Sequence, residues 1–152
     1  MTIIIQFLVA MAATIAFALL FSAPKKELVF CGLSGAIGWL FYCIITDAGL
    51  GPILASLVGT LILTIFSRTM AVIRQSPATM YLLPGIFPLV PGAGIYYTAY
   101  ELINGGNSSS RGLETLEIAL AITFGIIFGF AIPQALFIRL GKAIHDRHPG
   151  KP

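Results

Sequence analysis

Apolar residues run along this chain in five long blocks separated by short polar links, at about residues 2–23, 28–46, 50–67, 78–103 and 114–138. A helix needs about 20 mostly apolar residues to cross a hydrocarbon layer roughly 30 Å thick. Each block therefore predicts a membrane-spanning helix. The whole, residues 1–152, reads as a single transmembrane domain of an all-α polytopic membrane protein. The first block resembles a signal peptide only in its small Ser22-Ala23. No positive region precedes it, and Lys25 and Lys26 follow it, so it reads as a retained first span.

The fourth block differs from the others. Its centre is Leu83-Pro84-Gly85-Ile86-Phe87-Pro88-Leu89-Val90-Pro91-Gly92-Ala93-Gly94. Proline inside a helix lacks an N–H and clashes with the carbonyl four residues back. Pro84, Pro88 and Pro91 should thus disturb the bonds of the Met80, Pro84 and Phe87 carbonyls. Lipid cannot satisfy such groups, whereas protein or trapped water can. A helix broken beside a cavity is the expected outcome, and broken helices mark the midplane sites of many transporters. A restart at Gly92 that ends near Ile103 gives a half-helix of about 18 Å, which sets the break near the midplane. The N–H groups of Gly92 to Ile95 would then favour an anion such as a carboxylate. Tyr96 and Tyr100 fall on one face of this half-helix, Tyr97 and Glu101 on the next. A proline kink that only shapes packing is the alternative.

Small residues mark helix seams elsewhere. Block two carries Gly32, Ser34, Gly35, Ala36 and Gly38. Block three has Gly51, Ala55 and Gly59, and block five has Ala121, Gly125 and Gly129, with Pro133 continuing the line. Pro133-Gln134 places a second proline and an amide inside the membrane. Residues 104–112 read as a loop.

Composition narrows the class. Of 152 residues, 57% are hydrophobic and 10% charged, against about 25% charged in soluble domains. The net charge of +3 is too small and scattered to suggest nucleic acid. Its distribution speaks to orientation instead. Lys25 and Lys26 follow span one, Arg68 and Arg74 follow span three, and Arg139, Lys142, Arg147 and Lys151 follow span five. Only Arg111 falls on the other side. The positive-inside rule then places the N-terminus outside and the C-terminus in the cytoplasm.

Cys31 and Cys43 lie about 18 Å apart along one helix and cannot bridge each other. His145 and His148 lack further ligands, so the tail reads as solvated and no metal or other cofactor is expected. Asn107-Ser108-Ser109 matches a glycosylation acceptor only by a pattern common by chance. No HExxH, GxSxG or P-loop is present, which disfavours an enzyme. Glu101 and Glu117 are the ionisable residues placed nearest the apolar layer, as candidates for a coupling proton or as hydrated interfacial carboxylates.

Residues Phe21-Ser22-Ala23-Pro24-Lys25-Lys26-Glu27-Leu28, Cys31-Gly32-Leu33-Ser34-Gly35-Ala36-Ile37-Gly38-Trp39 and above all Pro84-Gly85-Ile86-Phe87-Pro88-Leu89-Val90-Pro91-Gly92 resemble the small subunit of the threonine/serine exporter family. The resemblance covers nearly the whole chain. It implies half of a two-component exporter in the bacterial cytoplasmic membrane, driven by the proton-motive force. A larger polytopic subunit would supply the other half. Some relatives of this type are assigned to dicarboxylate (succinate) export.

The expectation is export of a small carboxylate-bearing metabolite by alternating access. Threonine or serine is the first choice and a dicarboxylate the second. The substrate would be bound around Pro84, Gly85, Pro88, Pro91, Gly92 and Gly94 and along Tyr96, Tyr97, Tyr100 and Glu101. Five spans with the N-terminus outside would pair with a partner half of opposite orientation as inverted repeats. The rivals are a structural subunit that only stabilises its partner, and a homo-oligomeric channel.

Overall fold

The computed structural model describes residues 3–105 and 108–138. Arg139, Lys142, His145, Asp146, Arg147, His148 and Lys151 of the tail, and Asn107 of the glycosylation pattern, lie outside the described residues. Among the described residues the chain is helical, with no strand. Helix α1 spans Ile3–Leu20, α2 Leu28–Asp47 and α3 Gly51–Arg74. Helix α4 spans Thr79–Ile86, α5 Gly92–Ile103 and α6 Ser108–Ala131. Four of these helices are long and apolar enough to cross a membrane; α4 and α5, bent by 51° at their junction, together make a fifth candidate span.

Helix α2 is central, packed against α1, α3 and α4, and α6 packs on α3. Glycines set these approaches. A Cβ on Gly59 would come within 2.8 Å of the Gly38 carbonyl oxygen, and one on Gly125 within 2.8 Å of the Leu57 oxygen. The seams expected in blocks two, three and five are thus helix contacts, which need small residues. Gly51 is the exception: it starts α3 at φ +80° with no neighbour nearby. Between the helices Leu63, Leu82, Leu89 and Ile122 form the main apolar cluster. Buried Thr14, Thr60 and Thr64 return their hydroxyls to the carbonyls four residues back, as a bilayer-facing fold requires.

Three boundaries differ from the sequence reading. Block three was expected to end near Ser67, but α3 continues to Arg74. Arg68 therefore lies within a helix, 8% exposed, and not in a polar link. The expected loop 104–112 is shorter, because α6 begins at Ser108. Block five is not one rod: α6 ends at Ala131, and helix resumes over residues 134–138. Pro133 supplies the reason, since its missing N–H leaves the Gly129 carbonyl without a helical donor.

Candidate functional site

The break in span four is built residue by residue. Helix α4 contains Pro84, which cannot donate to the Met80 carbonyl. That oxygen instead lies 3.4 Å from Cys31 Sγ, and the Tyr81 oxygen accepts from Ser34 Oγ at 2.8 Å. Helix α2 thus supplies two side-chain donors opposite the disturbed turn. Residues Phe87–Leu89 tighten into a 3₁₀ turn, and the Val90 N–H reaches the Ile86 and Phe87 oxygens. Gly92 N–H then donates to the Val90 oxygen at 2.7 Å across Pro91 at φ −76°, ψ 60°, the geometry of an inverse γ-turn. Ile95 N–H bonds the Pro91 oxygen and opens α5.

This corrects the expectation that all four amides from Gly92 to Ile95 stay free. Gly92 and Ile95 are bonded, which leaves Ala93 and Gly94 as the amides of the first turn without an intrahelical acceptor.

The three prolines border three different cavities. Pro91 lines one of about 400 Å³ with Val90, Ile95, Thr115, Leu116 and Ile122. Pro88 lines one of about 430 Å³ with Gln6, Val9, Ala13 and Trp39. Pro84 lines one of about 270 Å³ with Phe21, Ser22, Pro77 and Thr79. The cavity at Pro91, beside the restart of the helix, is almost wholly apolar; its one side-chain hydroxyl, on Thr115, already donates to the Arg111 oxygen. Phe87 closes the α1 side by stacking on Phe17 at 4.0 Å between ring centroids.

The predicted residues are not brought to one point. Pro84 and Gly85 are buried, and a Cβ on Gly85 would meet Leu63 and Ser34 at 2.6 and 2.7 Å. A Cβ on Gly94 would meet Thr115 Oγ1 at 2.5 Å, whereas Gly92 faces open space. Tyr96, Tyr97 and Tyr100 lie together on an exposed face of α5. Glu101 Oε1 is ion-paired with Arg111 Nε at 2.6 Å, tying α5 to α6, while its Oε2 is buried without a partner. Glu117 is exposed.

Two ionic features escaped the sequence reading. Glu27, 2% exposed, accepts from Arg74 Nε at 2.6 Å, from Arg74 Nη2 at 2.8 Å and from the Tyr81 hydroxyl at 2.8 Å. This joins the starts of α2 and α4 to the end of α3. Arg68 Nη1 donates to the carbonyls of Gly129, Phe130 and Ile132 at 2.7, 3.2 and 2.7 Å, the oxygens that the interruption at Pro133 exposes. The nearest sequence signals were the shared side of Glu27 and Arg74, and the carbonyl freed by Pro133. Tyr81, 54 positions from Glu27, gave none. Among the described residues no group of three or more His, Cys, Asp or Glu stands ready for a metal.

The family profile described as "Threonine/Serine exporter, ThrE" matches residues 6–132. A "Probable threonine/serine exporter" of Mycobacterium tuberculosis (strain ATCC 25618 / H37Rv) is 24% identical over 125 residues, which cover 79% of this chain. The aligned part spans only 23% of that relative's length. No solved structure matches the chain.

Proposed function

We propose, from the premise that this chain belongs to the threonine/serine exporter family, that it forms a membrane-embedded part of an exporter for small carboxylate-bearing metabolites. Threonine or serine is the first substrate and a dicarboxylate such as succinate the second. The observation that carries this reading is the break in span four. Two half-helices meet there at 51°, and the restart leaves the amides of Ala93 and Gly94 for an anion. Tyr96, Tyr97 and Tyr100 line the path beyond the break by hydroxyl contact.

A larger polytopic subunit completes the transporter. Transport runs by alternating access in the bacterial cytoplasmic membrane, coupled to protons, with the N-terminus outside and the C-terminus in the cytoplasm. Lys25 and Lys26 between α1 and α2, and Arg74 at the end of α3, support that orientation.

The test is export of labelled threonine from cells that lack this chain and then regain it. The wild-type chain restores export. Gly92→Leu, placed where a side chain meets open space, lowers export at least tenfold while the protein still accumulates in the membrane. Undiminished export by Gly92→Leu would leave the break a packing device and favour a stabilising role for the chain.

A further inference from the structure

Arg68 is a cation held inside the bundle. It lies six residues before the end of α3, about 9 Å along the axis, and is 8% exposed. Among the described residues the ion pairs are Arg74–Glu27 and Arg111–Glu101, so no carboxylate there neutralises Arg68. Three carbonyls take its Nη1. The rings of Phe130 and Phe137 lie 5.4 and 4.4 Å from its Cζ. Dipoles and ring faces lower the cost of burying the guanidinium, but its full charge remains. An intramembrane charge in this state marks a functional position.

Arg68 also borders a cavity of about 470 Å³, within the range of roughly 300–1,000 Å³ common for small-molecule sites. Gln75, Ser76 and Gln134 bring polar groups to its wall, and Phe130 and Phe137 bring apolar ones. With Nη1 committed to the carbonyls, Nε and Nη2 have no hydrogen-bond partner among the described residues, and that edge of a guanidinium grips a carboxylate with two parallel bonds.

We infer that the cavity beside Arg68 binds the carboxylate of a small metabolite, with Gln75, Ser76 and Gln134 reading its other polar groups. The inference rests on the reading of the chain as a carrier of carboxylate-bearing metabolites and places a charged subsite apart from the break in span four. With the orientation proposed above, the subsite lies toward the cytoplasm, where an exporter loads.

The experiment uses the full chain in nanodiscs of neutral phosphatidylcholine and calorimetric titration with L-threonine, L-threonine amide and succinate. Threonine or succinate binds, and the amide, which lacks the carboxylate, binds at least tenfold more weakly than threonine. Arg68→Ala would strip three carbonyls of their donor, so Arg68→Lys and Gln134→Leu carry the test, with melting temperature as the folding control. Arg68→Lys keeps the charge, loses the fork and weakens binding at least tenfold. Gln134→Leu weakens it at least threefold.

Wild-type affinity in both folded variants, equal binding of the amide, or no binding by the folded wild-type chain would overturn the inference. So would stabilisation by phosphatidylglycerol with no response to threonine or succinate, which would make the site a lipid-headgroup site. The two proposals fail separately. If the wild-type chain restores threonine export and Arg68→Lys does so at unchanged KM, the subsite is wrong and the exporter stands. If the wild-type chain binds threonine in the manner described but restores export of neither metabolite, the exporter is wrong and the subsite stands.

Discussion

At the residue scale, the contact with the largest expected effect on stability is the one from Glu27 to Arg74 and Tyr81. A buried carboxylate is tolerable only while its partners remain, and removing one partner of such a pair costs about 3–5 kcal/mol. The Arg74 side chain is 31% exposed, so water partly takes its place and the loss falls below that of a fully buried pair. Arg74→Ala should therefore lower the melting temperature in detergent by several degrees, whereas Arg74→Lys recovers only part, because an ammonium cannot make the two-pronged contact. Equal melting of wild type and Arg74→Ala would show the pair to be dispensable. This contact was not legible from the chain: Glu27 and Arg74 looked like link residues, and a link charge is ordinarily hydrated.

At the scale of elements, what could be read was whatever local chemistry dictates. Of the prolines at positions 84, 88 and 91, Pro84 stays inside α4 and Pro88 inside a 3₁₀ turn, and the break falls at Val90-Pro91, within the stretch they mark. Small residues four apart gave the seams for the same reason, since Gly125 and Gly129 leave room for α3 and larger side chains do not. What failed was anything decided by a distant neighbour. Arg68 looked like the end of a span because arginine is costly in lipid, yet the carbonyls near Pro133 satisfy it and α3 continues for another turn and more.

The fate of the Gly92 amide was likewise hidden, because the γ-turn that captures it depends on the ψ of Pro91. The two halves of span four differ in support. Helix α4 packs on α1, α2 and α3, whereas the principal neighbour of α5 is α6, and no residue of α5 is buried. Amide hydrogen exchange in nanodiscs should therefore be faster in α5 than in α4, by tenfold or more at mid-helix, since local opening there breaks fewer apolar contacts. Equal protection of the two halves would contradict the packing described.

For the whole molecule, the helix order settles which ends lie together, and orientation in the membrane is the open prediction. Reporter fusions after Asp47 and after Gln75 should give opposite signals, external for the first and cytoplasmic for the second. Matching signals at the two positions would contradict the alternation of spans, and a reversed pair would contradict the proposed direction.

The polar ties are distributed unevenly between the two ends of the bundle. At the end that holds Glu27, Arg74 and Arg68, polar bonds join α2, α3, α4 and the far end of α6. At the other end, among the described residues, the ion pair Glu101–Arg111 joins α5 only to its sequence neighbour, and one bond from Cys43 Sγ to Gln6 Oε1 at 2.7 Å joins α2 to α1. Such a body is like tongs riveted more firmly at one tip. Thermal or ligand-driven motion has little amplitude at the rivet and grows with distance from it. The widest thermal excursions are therefore expected among the exposed tyrosines of α5.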